Sequence, residues 1–472
     1  MSESLAVTVD SVARVLRPRL PWLREVLACE RLSGGASQET WRLRVLGPDG
    51  AIDLALRRVP GGAAFARNVE QIGPVAEARL LRCASAAGVP VPTVLHELQP
   101  GDRLGQGYVM TWLDGETLGA RLVRDPSLND VRPRLAAACG DILARIHAID
   151  VQANGLDEIL PSVAPATLVE QVWARYRGFV TPQPMIDYTA RWLLDHLPPP
   201  VTPRLVHGDF RNGNLMVGPQ GIVGVLDWEI AHLGDPVRDL GWLCTNSWRF
   251  GVTALPVGGF GTREALCEAY RQASGHAVEP AHLHFWEVFG SFWWAVGCLE
   301  MADQYRAGPD VSVERPAIGR RSSECQIDCV NLLIPGPVTA VDATPPSDDQ
   351  LPRTDELLAS VRDFLRQDVS TETLGRTRFL ARVAANSLDI VLRERAQGPR
   401  TMAGEHVRLR ALCGDGDLDA LRWRLVERLR DGGLALDDAA LIRHLRQTVF
   451  DRVMIDQPGY SGAQTARDAA TT

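Results

Sequence analysis

The 472 residues suffice for two or three globular domains at ~100–200 residues each, and 45% hydrophobic with 23% charged residues is the composition of packed domains. A net charge of −8 excludes a globally basic surface for nucleic acid or for an anionic membrane. No apolar run reaches the ~20 residues of a membrane span, Met1 to Leu5 lacks the basic start and apolar core of a signal peptide, and nine scattered cysteines read as free thiols of a reducing compartment. A soluble, cytoplasmic protein is expected. All fifty basic side chains are arginine, and the chain contains no lysine.

Val7 to Leu27 is apolar-periodic and predicts a helix. A glycine-containing turn follows, with Gly34, Gly35 and Ser37 between Leu32 and Thr40. Such a turn lets backbone N–H groups approach phosphate oxygens, although a plain hairpin turn has the same composition. The alternating strand Trp41 to Val45 and the strand Ile52 to Arg57 flank a turn at Gly47–Gly50. On the second strand Ile52, Leu54 and Leu56 share one face, and Asp53, Ala55 and Arg57 share the other. Packing the apolar face inward turns Arg57 toward a cleft.

A helix is expected from Gln71 to Ala87, stopped by Gly88 and Pro90. Glu77 falls on its apolar face with Leu80, Leu81 and Ala84, so its carboxylate needs a partner or a place at the wet edge of the stripe. Val94–Leu95 and Tyr108 to Leu113 read as strands. Thr117 to Asp150 is helical, and His147 packs there or caps. Gly155 to Pro200 is helical too, with Trp173, Tyr176 and Trp192 reading as core more readily than as a pocket wall.

Two apolar segments, Leu215 to Val217 and Ile222 to Leu226, flank Gly218-Pro219-Gln220-Gly221 and predict a β-hairpin. If Val217 pairs with Ile222, Asn214 falls opposite Val225, Asp227 lies just past it, and Asp209 sits on the loop before the first strand. Two carboxylates and a carboxamide at one hairpin end suit a hard cation such as Mg²⁺. The remaining carboxylate can orient or deprotonate a hydroxyl. An Asp base, an Asn five residues on and a second Asp on the next strand form the constellation of kinase-type phosphoryl transfer.

Glu264 to Ile334 reads as helices whose aromatic residues, Phe285, Trp286, Phe289, Phe292, Trp293 and Trp294, form a core. Arg315, Arg320 and Arg321 near its end form a solvated basic turn or face an anionic substrate. Residues 336–352 are a linker by composition. Residues 353–457 carry helical stripes, among them Leu357, Val361 and Leu365, then Leu421, Leu425 and Leu429. Residues 458–472 are expected to be a disordered tail.

Three blocks coincide at fixed offsets: His207-Gly208-Asp209 with Asn214; Leu226-Asp227-Trp228-Glu229; and Gly234-Asp235-Pro236-Val237-Arg238-Asp239-Leu240. With them the sequence resembles the aminoglycoside phosphotransferase/choline kinase-like phosphotransferases. It looks most like the branch that also occurs fused to acyl-CoA dehydrogenases, accompanied by an uncharacterised C-terminal helical domain. The resemblance implies an α+β fold, a bilobal protein-kinase-like body followed by a small all-α domain. It implies a nucleotide-binding N-terminal lobe over 1–113, a catalytic and acceptor-binding lobe over 114–335, the linker 336–352 and a helical accessory domain over 353–457.

By the same resemblance ATP and Mg²⁺ are the cofactors. Gly35 and Ser37 lie in the loop that covers the phosphates. Arg57 stands at the position of the phosphate-holding lysine and pairs with Glu77. Guanidinium is larger and planar, so this exchange is not neutral. The backbone from Met110 to Trp112 meets the adenine edge. Asp209 is the base, and Asn214 and Asp227 hold the metal. His207 orients the loop, and Asp235 bonds its backbone N–H groups. Arg211 meets a phosphate or an anionic acceptor, or faces solvent. The implied reaction moves the γ-phosphoryl group of ATP to a hydroxyl of a small molecule, a hydroxyacyl-CoA or another metabolite. Two alternatives stand beside it: an aminoglycoside or macrolide antibiotic as acceptor, and a nucleotide-binding pseudokinase scaffold. The absent lysine favours the scaffold; the intact Asp209, Asn214 and Asp227 disfavour it.

Overall fold

The computed structural model describes residues 6–32, 38–59, 71–308, 311–343 and 351–469. They fall into two compact units. The first contains residues 1–164, 199–244 and 248–283; the second contains 165–198, 245–247 and 284–472.

The first unit begins with the helix Val9–Leu16, capped by the Thr8 hydroxyl, which accepts the Ser11 N–H. The expectation of one helix to Leu27 is corrected here. Pro18 and Pro21 cannot continue a helix, and the chain instead enters strand β1 (Glu25–Arg31). Next come β2 (Glu39–Gly47), β3 (Gly50–Val59), β4 (Val94–Glu97) and β5 (Gln106–Thr111). These five form an antiparallel sheet in the order β1-β2-β3-β5-β4. Leu43, Val45, Leu54, Leu56 and Val109 close its core against Val12, Val15 and Leu16. Ile52 shares the face of Leu54 and Leu56 but lies beyond that core, 45% exposed. Arg57 sits opposite Tyr108 on the neighbouring strand.

The helix Pro74–Ala86 follows, with Glu77, Leu80, Leu81 and Ala84 buried along one face. Further on, the helix Leu135–His147 packs on the helix Arg263–Ser274. Their approach depends on Gly140, where an added Cβ would meet the Leu266 carbonyl oxygen at 2.4 Å. Strands β6 (Arg204–Val206) and β9 (His232–Gly234) pair as a ribbon, and β7 (Leu215–Gly218) pairs with β8 (Gly221–Val225) as the expected hairpin.

Val217 does pair with Ile222, but Leu215, not Asn214, lies opposite Val225. Met216 pairs with Gly224, so Val223 is the extra residue of a bulge, which slips the register by one. Asn214 therefore meets Leu226, whose N–H donates to its carbonyl oxygen at 2.8 Å. The bulge thus brings Asn214 one residue closer to Asp227 along the partner chain.

The second unit is helical. One core joins Leu409, Leu421, Leu425, Leu429, Leu445 and Phe450 to Met185, Tyr188, Ile327 and Val330. The fully buried Asp187 accepts from the Trp173 indole N–H, the Tyr176 hydroxyl and the Arg430 guanidinium. Trp173 and Tyr176 are thus core. The segments 165–198 and 284–334 share that core with the C-terminal helices, so the chain does not divide at the expected linker 336–352. The sequence underestimates this joint because no single helix stripe names its partner.

Residues 458–472, expected to be disordered, instead include the helix Ser461–Asp468, which buries Ala463 and Ala466 in that core. Tyr460 anchors it by donating to Asp328 at 2.6 Å. Leu357 and Val361, by contrast, form a stripe more than half exposed. Among the described residues no helix is long and apolar enough to cross a membrane.

Candidate active site

The loop after β6 is fixed by buried polar groups before any substrate arrives. Gly208 has φ +86°, and an added Cβ would meet the Ile230 carbonyl oxygen at 2.7 Å, so this position requires glycine. The backbone N–H groups of His207 and Gly208 donate to the two carboxylate oxygens of Asp239, at 2.8 and 2.9 Å. Burial alone would raise the Asp239 pKa, but hydrogen bonding from His147 and the fields of His147, His207 and Arg238 hold it down to about 2.

Asp239 therefore does what the sequence assigned to Asp235. Asp235 instead caps the next helix through the Val237 N–H and accepts from His282 at 2.5 Å. The two aspartates are four residues apart on one turn, and only the loop's path decides between them.

His207 is buried. Its Nδ1 accepts the Asp209 backbone N–H at 3.2 Å, so its Nε2–H donates to the Leu226 carbonyl at 3.1 Å. Those two partners fix the neutral Nε2–H tautomer, and burial lowers the ring's pKa in the same direction. His207 thus ties the Asp209 loop to the chain entering Asp227. His147, expected only to pack or cap, joins the network through Asp239 and the Tyr270 hydroxyl.

The Asp209 carboxylate is held by three donors. Its Oδ1 accepts from the Trp242 indole at 2.8 Å and from Arg211 Nε at 2.9 Å. Its Oδ2 accepts from the Asn214 amide at 2.7 Å. With two bonds at Oδ1 and one at Oδ2, the open acceptor position of this carboxylate is at Oδ2. Arg211 is not a free solvent-facing side chain. Its guanidinium lies 4.2 Å from the Trp248 ring centroid and donates to the Asn212 carbonyl.

A second group gathers around Arg57. Its Nε donates to Gln38 at 2.8 Å and lies 3.3 Å from Glu77 Oε2. One terminal nitrogen reaches Asp227 at 2.6 Å and Glu229 at 3.4 Å. The planar fork thus spans four side chains, a reach that a lysine ammonium lacks. Glu77 is buried and also accepts from the Tyr108 hydroxyl and the Gln38 amide. Burial raises the Glu77 pKa, while Arg57 and these donors oppose the rise.

Asp227 has φ +65°, a left-handed backbone that aspartate tolerates better than most residues and that recurs at functional positions. Carboxylate oxygens of Glu77, Asp227 and Glu229 lie within 4.8 Å of one another. These are hard oxygen donors that fit Mg²⁺. Asn214 commits its amide nitrogen to the carbonyl and carboxylate of Asp209 and keeps its carbonyl oxygen as a ligand atom.

The structure thus brings Arg57, Glu77 and Asp227 into one cluster and Asp209 with Asn214 into a second, joined through His207 and Leu226. Met110 pairs with Ala55 on β3, two residues from Arg57, and Trp112 follows the strand's end under the Arg42 guanidinium. Neither side chain bonds to the clusters. Gly35 and Ser37 lie outside the described residues. Gln38 and Trp242 were not singled out from the sequence, and Glu229 and Asp239 stood in its motif blocks without a role of their own. Trp242 and Asp239 share the helix that follows the Gly234-Asp235-Pro236 turn, and a polar residue repeating toward the loop was the available signal.

The phosphotransferase enzyme family (APH) matches residues 28–276, more than half of the chain. The chain belongs to this phosphotransferase family. A domain of unknown function, DUF6285, matches residues 371–460 of the same chain. Acyl-CoA dehydrogenase family member 10 of Mus musculus is 33% identical over 221 residues, covering 44% of this chain and 19% of that protein. Family member 11 of Rattus norvegicus is 26% identical over 401 residues, covering 76% of this chain and 48% of that protein. The chain therefore spans about half or less of the length of these relatives. A solved structure, a candidate aminoglycoside phosphotransferase from Ralstonia eutropha, superposes with a TM-score of 0.55 at 23% identity, over 69% of this chain and 98% of that one. That likeness is one of fold, the mixed helix-and-sheet kinase-like fold, with helical sequence added at the C-terminus.

Proposed function

We propose that this phosphotransferase moves the γ-phosphoryl group of ATP to a hydroxyl of a small molecule, with hydroxyacyl-CoA thioesters as the favoured acceptors. One observation carries the proposal: a carboxylate, Asp209, held by three donors with one acceptor position left open at Oδ2, tied through His207 and Leu226 to the chain that enters a group of hard oxygen donors. Asp209 Oδ2 accepts the proton of the acceptor hydroxyl. The acceptor oxygen bonds to the γ-phosphorus as the bond to the β-phosphate oxygen breaks, and ADP leaves. Arg57, steadied by Glu77 and Gln38, balances phosphate charge. The backbone between Met110 and Trp112 meets the adenine. Asn214 and Asp227 would hold Mg²⁺, with Glu229 a further donor. Mg²⁺ supplies neutralisation of charge on the phosphate oxygens. Catalysis is then positioning plus electrostatics.

The acyl-CoA dehydrogenase names of the curated relatives support an acyl-type acceptor. Arg211 points the same way. It already balances Asp209, so the base offers no surplus negative charge to a polycationic aminoglycoside. A second reading, a nucleotide-binding scaffold, draws support from the Arg57–Asp227 pair, which engages a metal-binding carboxylate with the protein's own cation. Incubation with γ-labelled ATP and Mg²⁺ over hydroxyacyl-CoAs, free hydroxy acids, amino alcohols, sugars and antibiotics separates these. A phosphate ester formed on hydroxyacyl-CoAs supports the proposal. Product only on an antibiotic, or tight ATP binding with no product, overturns it.

A further inference from the structure

The second unit contains a cavity of about 280 Å³ that the phosphotransfer chemistry does not use. One wall is a single face of the long helix Gly375–Cys413. Phe379, Val383, Asn386, Ile390 and Arg393 line it at steps of three or four residues, as one helix face requires, with Ser387 and Asp389 at the edges of that face. The opposite wall comes from the helix Glu314–Arg320, through Ala317 and Ile318. The end of the helix Ala439–Asp456 closes it with Asp456 and Gln457.

The lining is graded. Phe379 is half exposed, and Val383, one turn along the same helix, is less exposed. Asn386 and Ser387 are polar, and Arg393 ends the run. Val383 and Arg393 are ten residues apart, ~15 Å along the helix axis.

The charges are not balanced evenly. Each lining carboxylate already has its arginine. Glu314 pairs with Arg376, Glu324 with Arg321, Asp389 with Arg362 and Arg366, and Asp456 with Arg320. Arg393 differs. Its Nε and one terminal nitrogen donate to the backbone carbonyls of Ile455 and Asp456, at 2.6 and 3.1 Å, and among the described residues no carboxylate lies within ion-pair distance of it. Burial lowers its pKa despite the fields of Asp389 and Asp456, the direction of a cation short of counter-charge. A half-buried cation short of counter-charge favours an added anion.

We infer that this cavity binds an amphipathic carboxylic acid, its apolar chain along Phe379, Val383, Ile318 and Ile390 and its carboxylate on Arg393, with the Asn386 amide as a second donor. A volume of 280 Å³ holds about nine water-sized groups at ~30 Å³ each. An eight-carbon acid meets that volume and fits within the ~15 Å run. The ligand class follows from the lining: Phe379, Val383, Ile318 and Ile390 give an apolar chain a surface to lie on, and Arg393 favours a carboxylate over an alcohol of the same length.

The test is calorimetric titration of the full chain with octanoate, octanol, octylamine and butyrate. Octanoate is expected to bind saturably with one site, and octanol and butyrate at least tenfold more weakly. Val383→Trp fills the cavity and abolishes octanoate binding, which separates this site from any other that accepts the acid. Arg393→Gln removes the preference for octanoate over octanol, and Arg393→Lys keeps it. Melting temperatures identify a variant that fails to fold, and in that case the Val383→Trp and Arg393→Lys pair decides. No saturable octanoate binding to the wild type, undiminished binding to Val383→Trp, or an unchanged preference in folded Arg393→Gln overturns the inference.

Discussion

Replacing Arg57 by methionine keeps much of its apolar volume and removes a guanidinium that faces three carboxylates. Glu77 dominates the cost. Its side chain is 1% exposed, and burial already raises its pKa. Asp227 and Glu229, at 31% and 23% exposure, are screened by water and add little. Removing one partner of a buried pair costs about 3–5 kcal/mol. Glu77 keeps Tyr108 and Gln38 as donors, which puts Arg57→Met near the lower figure, ~3 kcal/mol. At about 2–4 °C per kcal/mol, the first unit should melt roughly 6–12 °C lower.

Adding Glu77→Gln removes the stranded charge and should recover at least half of that shift. The pH dependence has a definite sign. Arg57 opposes the rise in the Glu77 pKa, so Arg57→Met lets it climb further above its unfolded value. The protonated form then stabilises the fold on the acid side, and that contribution is lost as pH rises through the folded pKa. Calorimetric scans of wild type, both single variants and the double variant, at about pH 5 and about pH 8, measure this. A loss under ~2 °C at the higher pH, or a double variant no better than Arg57→Met, refutes the ion-pair account.

Three further outcomes follow from other parts of the molecule. Trp242→Phe deletes the indole N–H on Asp209; a hydrogen bond to a charged group is worth ~1.5–3 kcal/mol, so steady-state kcat should fall roughly 10–100-fold with the KM for ATP unchanged, and a fall under about threefold counts against Trp242 as a positioning donor. Gly140→Ala forces a Cβ against the backbone of Leu266 and Tyr270, and thermal unfolding should register a loss of about 1–3 kcal/mol, with activity impaired through the Tyr270–His147–Asp239 chain. Burial pushes the Asp451 carboxyl up to about 6, so its favourable contribution is full below about pH 4 and lost as pH rises through about 6; Asp451→Asn should therefore gain melting temperature relative to wild type between those values, and a flat difference contradicts the assignment.

Much of the site was legible because its chemistry is local. Asp209, Asn214 and Asp227 lie on one hairpin, and period-two alternation put Arg57 on the face away from the core. Glu77 announced itself as a carboxylate on an apolar stripe. What escaped the sequence depends on details that periodicity does not carry. A one-residue bulge at Val223 moved Asn214 from Val225 to Leu226. The choice of Asp239 over Asp235 rests on how the loop meets the next helix, since both are carboxylates in one short motif. Strand β1 hid inside an apolar stretch because Val26 and its neighbours fit either period over so few residues. The shared helical core around Asp187 was invisible because its donors, Trp173, Tyr176 and Arg430, come from segments more than 240 residues apart at the extremes. The C-terminal helix escaped because alanines at positions 463 and 466 carry little hydrophobic signal, although both are buried.

The central claim is that Asp209 accepts a proton from a bound hydroxyl while phosphate is transferred. Its most direct test is single-turnover transfer from γ-labelled ATP to the best acceptor, with wild type and Asp209→Asn compared at equal nucleotide occupancy. Asparagine keeps the shape of the side chain and removes the base, so transfer should slow by ~10²–10⁴-fold while ATP binding stays within a few-fold of wild type. Transfer by Asp209→Asn at the wild-type rate would contradict the account and move the base elsewhere in the site.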